Sequence, residues 1–364
     1  MNTFNIAVIP GDGIGPEVVT EAIRVLDTLS DLSHEFRFQY ETFEWSCTYY
    51  LKHGKMMPQD GLELLKPFDA IFLGAIGFPT VPDHVSLWGL LLPIRREFDQ
   101  YVNLRPTQLL PGVVGPLKRF QSGDIDFVIV RENTEGEYSN MGGRLRQGHL
   151  EEVVVQNSVF TRYGTERIMR YAFDLARTRR HKLVAATKSN GINFSMPFWD
   201  EVFHLVGRDY PDVIQELVHI DALAARCITD PDSLDVVVGT NLFGDILSDI
   251  GGAIQGGIGM APAANLNPTK RYPSMFEPVH GSAPQLTGKK VANPIGQILT
   301  AKMMVDFLGL PQAGSIISQA VSRTLSSGIK TADLGGMATT SEVTDHIIQF
   351  IRQLWPQEMG VSSD

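Results

Sequence analysis

The sequence has few cysteines, no excess of positive charge and no long apolar run. Cys47 and Cys227 are its only cysteines, and their wide separation fits no metal-ligand spacing, which favours packing residues in a reduced compartment. The formal net charge of −10 argues against nucleic acid as a partner. No apolar stretch approaches the roughly 18 residues of a membrane span, and the N-terminus lacks the basic region of a signal peptide. We expect a soluble, cytoplasmic protein without a membrane partner.

The first glycine-rich segment lacks one glycine of the dinucleotide-binding motif. "IPGDGIGPE" (9–17) places three glycines after a short apolar run, but Pro16 stands where the dinucleotide fingerprint G-x-G-x-x-G requires its third glycine. Proline is favoured in the first turn of a helix. The segment therefore predicts a strand, a turn and a helix that begins near Pro16, and the cofactor must be bound elsewhere.

Apolar runs of strand length alternate with longer segments of helical period. The runs are continuously apolar, which is typical of strands buried on both faces of a mostly parallel sheet. The strand candidates are 4–9, 69–75, 126–130, 182–187 and 235–240, and the helix candidates are 16–30, 85–98, 161–179, 243–250, 296–308 and 340–354. This order predicts an α/β protein, and the length of 364 residues predicts two domains.

Three segments interrupt this alternation. Residues 138–160 combine glycines with a β-branched run, which predicts a surface hairpin or arm that finds a partner subunit. The glycine-rich stretch 251–268 predicts a long functional loop or a domain crossing. The final "GVSSD" (360–364) predicts a frayed tail.

Two aspartates in "TNLFGDILSDIGG" (240–252) indicate a cation site. Asp245 and Asp249 are four residues apart, so on a helix both carboxylates project from one face, and the segment contains no lysine or arginine. Two like charges this close are unfavourable without a cation. A solvated helix face is the alternative, but Ile246 and Leu247 are apolar neighbours. Oxygen-only ligation favours Mg²⁺ or Mn²⁺.

Arginines in an acidic protein indicate where an anionic substrate binds. Arg95 and Arg105 lie among leucines and aromatic residues, and Arg131 directly follows the strand candidate "DFVIV". Arginine suits bidentate capture of carboxylates, so we predict a polycarboxylate site. Ordinary surface ion pairs are the alternative for each of them taken singly. We interpret Arg96 as such a surface charge.

Lys188 and Tyr138 are candidates for moving protons. Lys188 follows the apolar run "KLVAAT", at the carboxyl end of a predicted parallel strand, where α/β proteins place their active sites. Burial there would lower its pKa toward that of a general base. Tyr138 is a phenol beside a cluster of charges. A snorkelling lysine and a packed tyrosine ring would give the same patterns.

Together these segments resemble the β-decarboxylating dehydrogenases that act on (2R)-hydroxy acids, a family that includes isocitrate, 3-isopropylmalate, D-malate and tartrate dehydrogenases. The resemblance covers about residues 4 to 354. The motifs that carry it, in this order, are "IPGDGIGPE" (9–17), "NLRP" (103–106), "RENTEGEY" (131–138), "NLFGDILSD" (241–249) and "EPVHGSAP" (277–284).

The resemblance implies an isopropylmalate dehydrogenase-like α/β fold with mixed sheets flanked by helices, distinct from the Rossmann dinucleotide fold. One domain would comprise residues 1–100 and 253–364 and carry the cofactor loop. The other would comprise residues 101–252, with the dimer interface and the arm at about 138–160. The active site would lie between the domains and be shared across a homodimer.

The resemblance also assigns roles to individual residues. Lys188 would manage the proton of the C2 hydroxyl, and Tyr138 would protonate the enolate that remains when carbon dioxide leaves. The implied metal ligands are Asp245, Asp249 and, from the neighbouring subunit, Asp221 in "HIDALAARC". The implied substrate-binding residues are Arg95, Arg105, Arg131 and Asn190. The implied cofactor-binding residues are His280, Gly281, Ser282, Ala283, Gln285 and Asn293.

In the family that this sequence resembles, the residues before the position of Arg95 determine which substituent on C3 of the substrate is accepted. Here Trp88 stands seven residues before Arg95, where isopropylmalate enzymes have an acid. Its ring would fill the space of a large substituent, and the stretch resembles that of D-malate and tartrate dehydrogenases. We therefore expect a four-carbon dicarboxylate as substrate, with oxidative decarboxylation of D-malate to pyruvate and carbon dioxide. An isopropylmalate dehydrogenase and a non-catalytic regulatory homologue are the alternatives.

The cofactor is expected to be NAD, although the signal is mixed. NAD-dependent members usually have an aspartate after "HGSAP", where this chain has Gln285. The chain also lacks the lysine-tyrosine pair of the NADP enzymes, since Leu286 follows. The choice between Mg²⁺ and Mn²⁺, a requirement for a monovalent cation such as K⁺, and the preference among D-malate and the tartrates are left open.

Overall fold

A computed structural model describes residues 1–359, so the expected frayed tail at 360–364 lies outside the described residues. The strands, in chain order, are β1 (Asn2–Gly11), β2 (Phe36–Thr42), β3 (Ala70–Ala75), β4 (Val102–Gln108), β5 (Asp126–Glu132), β6 (Gly142–Leu145), β7 (Val153–Gln156), β8 (Lys182–Thr187), β9 (Ile214–His219), β10 (Val236–Gly239), β11 (Pro262–Leu266) and β12 (Ser274–Pro278).

The α-helices are α1 (Gly15–Leu32), α2 (Cys47–His53), α3 (Gly61–Leu65), α4 (Asp83–Ser86), α5 (Leu92–Glu97), α6 (Arg162–Arg177), α7 (Ser195–Gly207), α8 (Ile220–Thr229), α9 (Asn241–Ile254), α10 (Ile295–Phe307), α11 (Pro311–Ser326) and α12 (Thr340–Met359). A π-helical turn, Leu87–Leu91, joins α4 to α5. None of the helices within residues 1–359 has the length and apolar character needed to cross a bilayer.

A mixed sheet of ten strands runs through the protein in the order β2-β1-β3-β12-β11-β4-β5-β10-β8-β9. The pairs at the two ends of the sheet are parallel, whereas β11 runs antiparallel to both β12 and β4, and β4 runs antiparallel to β5. The predicted α/β class and mixed sheet are confirmed.

Strands from the two predicted domains occupy opposite halves of this sheet. The strands drawn from residues 1–100 and 253–364 lie on one side of the β11–β4 pair, and those drawn from 101–252 lie on the other. The division into two domains itself stays a prediction.

The glycine-rich stretch 251–268 is not the long loop that the sequence predicted. It comprises the end of α9, one short 3₁₀ turn and β11, which is buried along its whole length. Gln255, Gly256 and Gly257 form the link, and the two glycines have positive φ angles (118° and 134°) that favour glycine. The loop alternative is wrong because β11 is built mostly from small residues that gain their burial from β4 and β12 on either side, whereas the alternative of a domain crossing stays a prediction.

Residues 138–160 contain the predicted surface hairpin. β6 and β7 pair antiparallel, from Gly142 opposite Gln156 to Leu145 opposite Val153, and every residue of both strands is exposed. Val154 is 62% exposed, so this ribbon has an apolar surface without a partner in one chain. The expected contact with a second subunit stays a prediction.

The turn between β1 and α1 joins three separate segments. The Asp12 side chain is 3% exposed and accepts hydrogen bonds from the backbone N–H groups of Cys47 (2.8 Å), Thr48 (3.1 Å) and Gly77 (3.3 Å). Gly13 has a φ of 60°, and a Cβ there would lie 2.0 Å from the carbonyl oxygen of Ser282. The glycine therefore allows the segment at 282 to pack directly on this turn.

We predict that Asp12→Ala destabilises the protein by about 3 kcal/mol, because several buried N–H groups lose their acceptor. The measurement is the midpoint of chemical denaturation. Asp60→Ala is the matched control, since Asp60 is exposed and its side chain makes no capping hydrogen bond to α3. Equal midpoints for the two variants would contradict the structural role of Asp12.

Candidate active site

The register of β4 against β5 brings two arginines to one face of the sheet. Asn103 lies directly opposite Arg131, and Arg105 is two residues along the same strand face. α9 crosses this face closely, and glycine at position 244 permits the approach: a Cβ there would lie 2.6 Å from the Cβ of Arg131. The close approach places the first turns of α9, which carry Asn241 and Asp245, against the guanidinium groups.

Asp245 is the centre of the resulting cluster. One carboxylate oxygen accepts hydrogen bonds from Nη1 of Arg105 (3.0 Å) and from Nη1 of Arg131. The other accepts from the hydroxyl of Tyr138 (2.9 Å). Asn241 holds Arg131 by accepting from its Nε (3.0 Å) and Nη2 (2.7 Å).

The cluster holds more positive than negative charge. Arg105 and Arg131 are 8% and 3% exposed, and both contact one carboxylate. Burial, together with the charge of Arg105, lowers the pKa of Arg131 to about 10 despite the opposing effect of Asp245. Burial alone would raise the pKa of Asp245, but the two arginines hold it below its ordinary value. This arrangement can accept a further anion.

Tyr138 and Asp249 both have raised pKa values. Burial and then the Asp245 carboxylate raise the pKa of the Tyr138 phenol, which keeps it protonated at neutral pH. Asp249 lies one helical turn beyond Asp245, and partial burial followed by the like charge of Asp245 raises its pKa. The two carboxylates therefore repel each other.

Lys188 and Asp221 form a separate pair, outside this cluster. Nζ of Lys188, at the end of β8, donates to Asp221 in the first turn of α8 at 2.6 Å. The hydrogen bond from Lys188 lowers the pKa of Asp221, whose side chain is 69% exposed. Asn190 is exposed nearby in the chain. Within residues 1–359 of one chain, no three His, Cys, Asp or Glu side chains are arranged to hold a metal ion.

Arg95 is held by a residue that the sequence analysis did not assign. Its Nη2 donates to Oε1 of Glu277 at 2.5 Å, and Asn265 donates to the same oxygen at 2.7 Å. Burial would raise the pKa of Glu277, but Arg95 keeps it below its ordinary value. Nε of Arg95 is buried and has no partner within residues 1–359, so it is a free donor.

The interpretation of Arg96 as a surface charge is wrong. Arg96 is half-buried, its guanidinium carbon lies 4.8 Å from the ring centroid of Trp88, and its Nη2 donates to the backbone carbonyl of Tyr138. Burial lowers its pKa, against an opposing effect of Glu132. Trp88 is itself half-buried within the π-helical turn.

The predicted cofactor residues surround a cavity of about 500 Å³ beside the β1–α1 turn. Of the six, His280, Gly281, Ala283, Gln285 and Asn293 line it, whereas Ser282 is buried and its carbonyl accepts from the N–H of Ile14. Nε2 of His280 is buried without a partner in the described part of the chain. Burial lowers the pKa of His280, which keeps its ring neutral.

Sequence reasoning missed several residues of the site. Asn241 and Glu277 lie inside the motifs that carried the resemblance, so their position was a usable signal. Asp333 lines the cofactor cavity, where Asn293 donates to it at 2.9 Å, but it is about forty residues away in sequence and gave no local signal.

Comparisons with known proteins identify relatives of this site and fold. Residues 5–347 match the family described as isocitrate/isopropylmalate dehydrogenase. A probable tartrate dehydrogenase/decarboxylase of Bacillus subtilis (strain 168) is 53% identical over 355 residues, which cover 97% of this chain and 99% of that protein. A D-malate dehydrogenase (decarboxylating) of Escherichia coli (strain K12) is 55% identical over 359 residues, with 96% and 99% covered.

A solved structure extends this agreement to the fold. The crystal structure of isocitrate dehydrogenase from Methylococcus capsulatus matches with a TM-score of 0.85 at 30% identity, and the match covers 97% of this chain and 100% of that one. The fold that the motifs implied is therefore confirmed. The chain belongs to the isocitrate/isopropylmalate dehydrogenase family.

Proposed function

We propose that this protein uses NAD and a divalent metal ion to oxidise and decarboxylate a four-carbon (2R)-hydroxy dicarboxylate, such as D-malate or tartrate. The observation that carries the proposal is the pair of buried arginines that share a single carboxylate, Asp245. The printed names of the relatives in Bacillus subtilis and Escherichia coli, which refer to tartrate and D-malate, support this substrate class.

Three arginines would bind the two carboxylates of the substrate. Arg105 and Arg131 have charge beyond what Asp245 neutralises, and Arg95 retains a free buried Nε–H despite its ion pair with Glu277. Planar guanidinium groups bind carboxylates through paired hydrogen bonds. Their burial strengthens these bonds, because water competes less for the donors.

Asp245 and Asp249 fit a hard divalent cation. Both present oxygen ligands from one helix face. Partial burial and then the like charge of Asp245 raise the pKa of Asp249, and a cation would offset both effects. Asp221 of the partner subunit would complete the set. A bound divalent cation would supply the positive charge that favours loss of a proton from a hydroxyl group.

Lys188 and Tyr138 would move the protons. Nζ of Lys188, freed from its ion pair with Asp221 and after losing a proton to solvent, would accept the proton of the C2 hydroxyl as hydride passes from C2 to NAD. After carbon dioxide departs from C3, the Tyr138 hydroxyl would donate a proton to C3, and its raised pKa keeps that proton available at neutral pH. The hydroxyl is oriented by its hydrogen bond to Asp245 at 2.9 Å.

The assembly would be a homodimer. Lys188 and Asp221 lie apart from the Asp245 cluster in one chain, and α8, which carries Asp221, packs against α9. Exposed apolar side chains lie on α9, where Leu242 and Ile246 are 37% and 47% exposed, and on the hairpin. Burying such surfaces between two copies would bring the Lys188–Asp221 pair of one chain to the Asp245 cluster of the other.

The cofactor cavity favours NAD over NADP. Asp333 is the charged side chain among the residues that line it, and its carboxylate would repel an additional phosphate. His280 offers a buried ring nitrogen without a partner in the described residues. Bound NAD would supply the hydride acceptor.

The proposed function predicts that the protein forms NADH from D-malate or a tartrate, and that a chelator abolishes the rate until Mg²⁺ or Mn²⁺ is restored. 3-Isopropylmalate is the comparison substrate, and absorbance of NADH is the measurement. The metal concentration for half-maximal rate should rise as pH falls, because protons compete for Asp249, whose pKa is raised. A rate insensitive to the chelator would contradict the metal site.

We predict that Trp88→Ala raises kcat/KM for 3-isopropylmalate relative to D-malate by about tenfold, because removal of the ring makes room for the larger substituent on C3. Steady-state kinetics with both substrates provide the measurement. Trp88→Phe is the control, since it keeps an aromatic ring and should change the ratio less. An unchanged ratio of kcat/KM values in Trp88→Ala would show that other residues determine which C3 substituent is accepted.

We predict that Asp333→Asn lowers the ratio of kcat/KM for NAD to that for NADP by about tenfold, because it removes a negative charge from the cavity. The asparagine keeps a side chain of the same shape. Asp60→Asn, at an exposed position, controls for the overall change in charge. The account of cofactor choice fails if both variants keep the wild-type ratio.

A further inference from the structure

Arg96 lies between two residues of the site that are fifty positions apart in sequence. Its guanidinium carbon is 4.8 Å from the centroid of the Trp88 ring, and its Nη2 donates to the backbone carbonyl of Tyr138. Nε of Arg96 is buried without a partner within residues 1–359, so the group is packed in place. One planar cation therefore contacts both segments.

The local helix geometry explains why consecutive arginines have different partners. Successive helix residues point about 100° apart, so Arg95 and Arg96 on α5 leave the helix in different directions. Arg95 reaches Glu277 on β12, whereas Arg96 reaches the segment after β5. Arg96 also stacks back on the π-helical turn that precedes α5, and such turns are frequent at functional sites.

Tyr138 is held from both ends. Its hydroxyl donates to Asp245 at 2.9 Å, and its backbone carbonyl accepts from Arg96. Tyr138 lies outside the regular strands, between β5 and the hairpin, so these contacts rather than a strand ladder fix its position. A proton donor displaced by even 1 Å loses much of its effect.

We propose that Arg96 is a positioning residue that couples the Trp88 wall of the substrate pocket to the proton donor Tyr138. This inference rests on the roles given to Trp88 and Tyr138 in the proposed function. When a substrate packs against Trp88, Tyr138 already lies where it can donate its proton, because the guanidinium group of Arg96 contacts both residues. Lysine cannot replace it fully, since an ammonium group lacks the planar face that stacks on an indole.

The chain offers a matched control. Arg119 makes the same two kinds of contact, with its guanidinium carbon 4.5 Å from the ring centroid of Phe120 and a hydrogen bond to the backbone carbonyl of Thr229. It is exposed and contacts none of the site residues named above. R119Q therefore removes an equivalent arginine without touching the site.

Acrylamide quenching of tryptophan fluorescence tests the contact without any substrate. Trp45, Trp199 and Trp355 are at most 4% exposed, so the half-buried Trp88 should account for most of the quenching. We expect R96Q to raise the quenching constant by about twofold, since the guanidinium no longer covers the ring. R96K should resemble R96Q, and R119Q should match the wild type.

Kinetics test the coupling. R96Q should lower kcat for D-malate by about tenfold with little change in KM, and should lower the preference for D-malate over 3-isopropylmalate in the same variant. R96K should recover part of kcat, through its remaining hydrogen bond, but not the preference. The coupling would be overturned if R96Q left the quenching constant unchanged, or if it lowered kcat without changing the preference for D-malate over 3-isopropylmalate. It would also be overturned if R119Q changed quenching, kcat and preference as R96Q does. Lack of dehydrogenase activity in the wild type would instead overturn the proposed function, and the quenching result would still decide the Arg96–Trp88 contact.

Discussion

The site depends on one carboxylate, Asp245, held between two buried guanidinium groups. A buried charge is stable only when paired, and Asp245 partly neutralises Arg105 and Arg131 without cancelling them. The remaining positive charge would attract the proposed dicarboxylate substrate into an otherwise acidic protein, and the second oxygen of Asp245 accepts a hydrogen bond from the Tyr138 hydroxyl. One side chain thus contacts the residues proposed to bind the substrate and to donate a proton, and is itself a proposed metal ligand. This is why the register of β4 against β5 and the close approach at Gly244 matter to the chemistry.

The two halves of the sheet contribute different parts of this site. β4, β5 and α9 supply the Asp245 cluster, whereas β12 in the other half supplies Glu277, which holds Arg95 of that same half. The β1–α1 turn supports the cofactor cavity through Asp12 and the contact at Gly13. Buried polar groups join the two halves: the side-chain amides of Asn103 and Asn133 both donate to Oδ1 of Asn265, at 2.6 and 2.9 Å. Such groups lose favourable hydrogen bonds when any partner is removed. The geometry of each half therefore constrains the other.

The sequence predicted the strands that contain a continuous apolar run, including β1, β3, β5, β8 and β10, because burial on both faces leaves a clear pattern. The sequence did not predict β4, because Asn103 and Arg105 interrupt its apolar run. It did not predict β11 either, because alanines give little indication of a strand. The motif segments predicted the residues that form the Asp245 cluster, whereas the position of Asp333 in the cavity and the contacts of Arg96 depend on tertiary structure alone.

The central claim is most directly tested by locating Mn²⁺ through its anomalous X-ray scattering in crystals of the assembled protein grown with Mn²⁺ and D-malate. The account predicts one strong peak per site, bonded to oxygens of Asp245 and Asp249 and to Asp221 of the partner subunit, with substrate carboxylates against Arg105 and Arg131. A peak elsewhere, or ligation by aspartates of a single chain without the partner, would contradict the shared site. Substrate density away from the arginines would contradict their role in binding.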